Sequence, residues 1–201
     1  MAQDSKALIT GYITDMEALE EHIAKALAGQ VEDLEAEDPS IVPLRAIQQR
    51  CESHQQLLEA LADRRKQTGQ GISETIKKAG SAILGAGAAA VDFVRTEKVP
   101  KNLRDNYTAV SMACIGYVML HTTALSMSDN EVADVARELL AEHAKSVMLL
   151  HNLVPGAVIR FLQHEGYPAR NEVLGQIAET IESVWHQDEN AASGEELSGS
   201  R

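Results

Sequence analysis

The sequence predicts an all-α protein, and three observations carry that expectation. The hydrophobic content is 44%, yet only two Phe and one Trp occur in 201 residues, so the core must be aliphatic, built from Leu and Ala on helices. Apolar residues recur at spacings of three and four along several long segments. Turn-forming stretches, AEDPSIVP, TGQGIS and SDNE, separate those segments. The length suits one domain with a sizeable core, read here as residues 1–187.

The first helix is expected at about residues 5–35, with Ile9, Tyr12, Met16, Ile23 and Leu27 in line, Leu19 beside them and Glu20 among them. Pro43 fits the first turn of a second helix at about 43–68, whose inward line is Leu44, Ile47, Cys51, His54, Leu58 and Leu61. Residues 69–100 exceed a hairpin loop and imply a long crossover from one end of a bundle to the other. A third helix at about 101–127 aligns Tyr107, Val110, Cys114, Tyr117, His121 and Leu125. Ser128 with Glu131 has the spacing of a capping box for a fourth at about 129–153, lining up Val132, Val135, Leu139, Glu142, Ser146 and Leu149 and stopping before Pro155. Two further helices are expected at about 156–165 and 171–187, the second with Ile177, Ile181 and Val184 on one side. The polar, Gly- and Ser-rich tail at 188–201 is expected to be disordered.

A net charge of -12, with acids spread along the helices, argues against nucleic acid, because phosphate contacts need clustered cations. Two cysteines 63 positions apart read as reduced thiols, and acidic residues come too early in the chain for a signal peptide, so a cytoplasmic location is expected. The uncharged run AGSAILGAGAAAV at 79–91 is too short to span a bilayer. Close helix packing is expected of it rather than membrane-surface contact through residues 73–95.

DMEALEEHIAKAL at 15–27, CESHQQLLEALADRRKQTG at 51–69 and ELLAEHAKSV at 138–147, within two hairpins separated by a crossover, resemble the ferritin-like superfamily. The resemblance covers roughly residues 8–153 and is nearest to its small bacterial stress-associated proteins. It implies a four-helix bundle with one long crossover, in which an active di-iron site takes a Glu from each of two helices and a Glu-x-x-His pair from each of the other two. Glu20 matches the first glutamate, and Cys51 with His54 occupies a Glu-x-x-His position with thiol in place of carboxylate. The third-helix slots hold Cys114, Ile115 and Tyr117. Glu142 matches the fourth-helix glutamate, but Lys145 stands where histidine belongs. Two adjacent irons need several anionic oxygens, so this eroded set argues against an oxygen-activating ferroxidase.

Each candidate residue has a plainer reading beside the functional one. A charged, unpaired Glu20 in an apolar line would cost several kcal/mol, so it must be peripheral and partly solvated, paired with Tyr, His or Lys145, or a ligand. Cys51 and His54 serve equally as core residues or as a soft ligand pair. Tyr117 and His121 share a face, and convergence of His121, His54, Glu20 and Glu142 would make a mononuclear site. His143 and His151 are expected on a solvated or subunit-contact surface. No nucleophile elbow, phosphate loop, HExxH or CxxC pattern is present.

The leading expectation is therefore a non-catalytic ferritin-like protein acting through self-association, a dimer above all, or through a protein partner, with no cofactor. The alternative is a metal-binding or redox protein holding zinc, iron or copper at Glu20, Cys51, His54, Tyr117, His121 and Glu142.

Overall fold

A computed structural model describes residues 5–67 and 98–196. It contains α1 (Ser5–Glu32), α2 (Ile41–Gln67), α3 (Lys98–Ser126), α4 (Asn130–His164) and α5 (Val173–Glu196). The first four make a four-helix bundle, to which α5 is a C-terminal addition lightly seated on α4. The expected crossover at 69–100, including the small-residue run at 79–91, falls outside the described residues except for its last three positions, which begin α3.

Polar pairs along the helices fix their directions. At one end Gln30 and Asn106 exchange amide hydrogen bonds of 3.2 and 2.6 Å, and Lys98 Nζ meets Asp33 at 2.6 Å. At the other end buried Arg65 donates to Thr10 Oγ1 at 3.2 Å and to Asp129 Oδ2 at 2.6 Å. These contacts make α1 antiparallel to α3 and to α2. Arg64 with Glu131 and Arg50 with Ser146 make α2 antiparallel to α4. Thus α2 and α3 run parallel, and Gln67 and Lys98 lie at opposite ends of the bundle.

The core is aliphatic. All six residues of the inward line expected for α2 are buried. In α1, Ile9, Ile13, Met16, Leu19, Glu20, Ile23 and Leu27 are buried, while Tyr12 is half-buried. The inward faces of α3 and α4 are turned relative to expectation. Leu103, Asn106, Val110, Ala113, Tyr117, Leu120 and Ala124 face in from α3, leaving Cys114 half-buried and Leu125 exposed. From α4 the buried line is Val132, Ala136, Leu139, His143, Ser146 and Leu150. Both rotations place small residues on the seam. At Gly116 a Cβ would stand 2.5 Å from Met16 Sδ, so α1 and α3 approach closely there.

Three expected boundaries are corrected. The α4 N-cap is Asp129, whose side chain accepts from Val132 N–H at 3.4 Å, because Ser128 sits in the left-handed region at φ 61°. Glu131 pairs with Arg64 instead of completing a capping box. Secondly, α4 does not stop before Pro155 but runs through it to His164, so 156–165 is not a separate helix. Buried Ala157 and Ile159 hold this extension to the body. Its Arg160 Nη2 donates at 3.2 Å to buried Ser40 Oγ in the turn before α2. The helix then ends at Gly166, φ 81°, where Tyr167 N–H bonds to Leu162 O at 2.9 Å in a Schellman-type turn. Thirdly, α5 continues past Asp188 to Glu196, so helix replaces the first part of the expected disordered tail.

By length and composition, α3 is apolar enough to cross a membrane, and much of its most apolar stretch is exposed. Met112, Ile115, Val118, Met119 and Leu125 lie on its outer side.

Pro155 lacks the N–H that would bond to the His151 carbonyl and crowds that turn. Pro155→Ala restores the bond, so it is expected to stabilise the protein by about 1–3 kcal/mol, read as a higher urea midpoint. An α4 broken at Pro155 would give no such gain.

Candidate metal centre

Four helices each bring polar side chains to one level of the bundle. Glu20 comes from α1, Cys51 and His54 from α2, Tyr117 from α3, and Glu142 and His143 from α4. Their place follows from helical spacing. Cys51 and His54 are three apart and share a face, as do Leu139 and His143 four apart.

Glu20 is the centre of the group and has no solvent exposure. Its Oε1 accepts hydrogen bonds from Tyr117 OH at 2.5 Å, His143 Nε2 at 2.6 Å and His54 Nδ1 at 3.1 Å. Three groups meeting one acceptor must each supply a proton, which places the proton of His143 on Nε2. His54 Nε2 lies 3.0 Å from Glu142 Oε2, so the ring sits between two carboxylates and is suited to be doubly protonated. Arg50 Nε stands 3.5 Å from the same Glu142 oxygen. One imidazolium and one guanidinium therefore balance the two carboxylates.

The electrostatics follow from these contacts. Burial alone would raise the Glu20 carboxyl, but the hydrogen bonds from His143 and His54 and the charge of the His54 ring outweigh it and hold it at about 2. For His54, burial works against the charged ring, and Glu20 and Glu142 together lift it above its ordinary value. The Cys51 thiol is pushed up by burial and by the adjacent Glu20 carboxylate, and the Tyr117 hydroxyl likewise. Both stay neutral near pH 7.

Ligand atoms of Glu20, Cys51 and His143 all lie within 4.8 Å of one another, and all three residues are buried. Two of the atoms here, Glu20 Oε2 and His143 Nδ1, are buried without a hydrogen-bond partner among the described residues. A carboxylate, an imidazole and a thiol that converge in this way form a donor set that fits a transition-metal ion.

Of the six residues singled out from the sequence, five gather at this level, Cys51 through its sulfur and Glu142 at the rim. His121 does not join them: its Nδ1 donates to the Ala133 carbonyl at 2.7 Å, because α3 is turned to put Ala113, Tyr117 and Leu120 inward. Glu20 is not a peripheral, partly solvated residue, and Lys145 is exposed rather than its partner. His143 was missed. It lies on no solvated surface but is fully buried against Glu20 and stacks on Tyr117, with ring centroids 5.6 Å apart. The series Val132, Ala136, Leu139, His143, Ser146 and Leu150 and the series through Val135, Glu142 and Leu149 both alternate by three and four, so spacing holds no signal that separates them. His151 is half-buried near Tyr107 and Trp185.

No protein-family model matches the sequence, and no curated protein matches it. Among solved structures, the fold is similar to that of a protein from Xanthomonas campestris pv. campestris, with a TM-score of 0.62 at 15% identity over 81% of this chain and 98% of that one. At that identity the likeness is one of fold.

The lowered Glu20 and raised His54 give the metal-free protein a stability maximum. Glu20 contributes stability fully above its ordinary value of 4.5, lost as pH falls toward about 2. That contribution is on the order of 3 kcal/mol. His54 contributes fully below its ordinary 6.5, and the contribution is lost as pH rises through its raised value. Urea unfolding of chelator-treated protein across this range is expected to show stability falling on both sides, with Glu20→Gln flattening both limbs.

Proposed function

We propose that this chain is a ferritin-like metal-binding protein holding one transition-metal ion, zinc by its donor chemistry, with Glu20, Cys51 and His143 as ligands. The observation that carries the reading is the convergence of those three buried residues from three helices, with ligand atoms within 4.8 Å. One sulfur, one nitrogen and one oxygen donor suit a borderline ion such as zinc better than a di-iron pair, which needs several bridging carboxylates. Glu20 is the one buried carboxylate among the described residues. The ferritin-like part of the reading draws on parallel α2 and α3, whose joined ends lie at opposite ends of the bundle, as one long crossover requires.

The chain's own residues divide the work. Tyr117 and His54 hold the Glu20 carboxylate in one orientation. The aliphatic wall excludes water, which strengthens each charge interaction inside. A bound cation would displace the proton that burial keeps on the Cys51 thiol. Zinc held there would supply Lewis acidity, whereas iron or copper in the same residues would supply electron transfer.

Metal counted per chain after dialysis, with cobalt as a spectroscopic substitute, tests this. Near one ion per chain is expected, with a thiolate-to-cobalt band absent in Cys51→Ser. Binding should weaken more than about tenfold in Glu20→Gln and His143→Gln. Metal far below one per chain after supplemented expression, or full retention in all three variants, would overturn the assignment.

A second reading, assembly, is favoured by the exposed apolar side of α3, since such a stripe on a soluble bundle marks a contact surface. We propose a homodimer through Met112, Ile115 and Met119. Native mass is expected to show two chains, and Ile115→Glu with Met119→Lys to give one; a monomeric wild-type chain would remove this reading.

A further inference from the structure

Among the described residues, the buried cluster meets a solvent-exposed carboxylate at Glu142. Glu20, Cys51, Tyr117 and His143 have 0% exposure. Glu142 differs: 42% of its side chain is exposed, while its Oε2 stays 3.0 Å from His54 Nε2. The other nitrogen of that ring, Nδ1, lies 3.1 Å from Glu20 Oε1 and 3.3 Å from His143 Nε2. One imidazole therefore spans the seam between α2 and α4, with a solvated carboxylate outside and a buried one inside. Arg50 covers the outer end, paired with Glu142 and donating to Ser146 Oγ.

We propose that Glu142 and His54 form the uptake path by which a divalent transition-metal ion reaches the buried ligands, and that Arg50 is the counter-ion it displaces on arrival. The inference rests on the metal reading above. A bare divalent ion cannot cross an aliphatic wall, because loss of its water without replacement costs far more than a folded protein can supply. It needs donors in succession. Here an exposed carboxylate comes first, an imidazole second, and the Glu20, Cys51 and His143 set third, with no apolar gap between them. The proton that His54 shares with Glu142 leaves to solvent as the ion arrives, as metal binding to protonated ligands requires. Arg50 opposes the first step, since a guanidinium beside Glu142 repels an incoming cation. Ser146 holds the same guanidinium, so Arg50 can release Glu142 without losing every partner.

A path residue differs from a ligand in what it does to rates. Its effect falls chiefly on the barrier, so association and release change by nearly the same factor and Kd moves little. A ligand changes Kd. The test is stopped-flow binding and chelator-driven release of cobalt(II), on metal-free wild type, Glu142→Gln and Arg50→Met, with circular dichroism confirming the fold. Glu142→Gln is expected to slow association and release together by about tenfold, the lower end of what a focusing charge supplies. Arg50→Met should speed both, and Kd should stay within about threefold in each variant. Wild-type rates in Glu142→Gln would overturn the path. A raised Kd with unchanged association would make Glu142 a ligand and overturn it as well. Wild-type protein that takes up no cobalt would remove the metal reading and the path together, whereas normal cobalt affinity with unaffected rates removes the path alone.

Discussion

A carboxylate with no solvent at the centre of four helices is the constraint on which this architecture rests. Glu20 cannot stay charged there unless donors from the other helices reach it, and Tyr117, His143 and His54 do so from three of them. Each donor must keep its own helix at one height and one rotation. The turn of α3 that brings Tyr117 inward sends His121 to a backbone carbonyl, and the turn of α4 that brings His143 inward leaves Glu142 at the rim. One buried charge thus accounts for the faces of α3 and α4 that apolar spacing alone leaves ambiguous.

Charge balance extends the same logic outward. His54 cannot serve Glu20 alone, because its second nitrogen would remain unpaired; Glu142 takes it, and Arg50 offsets Glu142. Charge alternates from the axis of the bundle to its surface. Burial that would ordinarily push Glu20 toward protonation is overcome by the hydrogen bonds from its partners and the charge of the His54 ring.

Much of the bundle was legible in the sequence, and particular residues show where legibility ended. The α2 line from Leu44 to Leu61 is regular, with one face plainly apolar, and it is buried as read. In α3 the exposed side carries Met112, Ile115 and Met119, so both faces are apolar and periodicity cannot choose between them. In α4 the faces through Glu142 and His143 differ by one residue, about 100° of rotation, and each offers hydrophobic neighbours. Only the demand of Glu20 for a donor separates them, and that demand is tertiary. Pro155 misled for a related reason: it is a helix breaker locally, but Ala157, Ile159 and Arg160 beyond it have buried partners that hold the helix together.

The polar level is also divided between two hairpins. The α1–α2 pair carries Glu20, Cys51 and His54, and the α3–α4 pair carries Tyr117, Glu142 and His143. Each hairpin can form from contacts near in sequence, but neither can satisfy its polar residues alone. When the two halves meet, aliphatic seams would tolerate sliding by one helical turn, about 5.4 Å. The Glu20 carboxylate would not, since that slip sets it against Ala113 or Leu120 instead of Tyr117. The cluster therefore acts as a key for docking register during folding, rejecting misaligned pairings that hydrophobic burial by itself would accept.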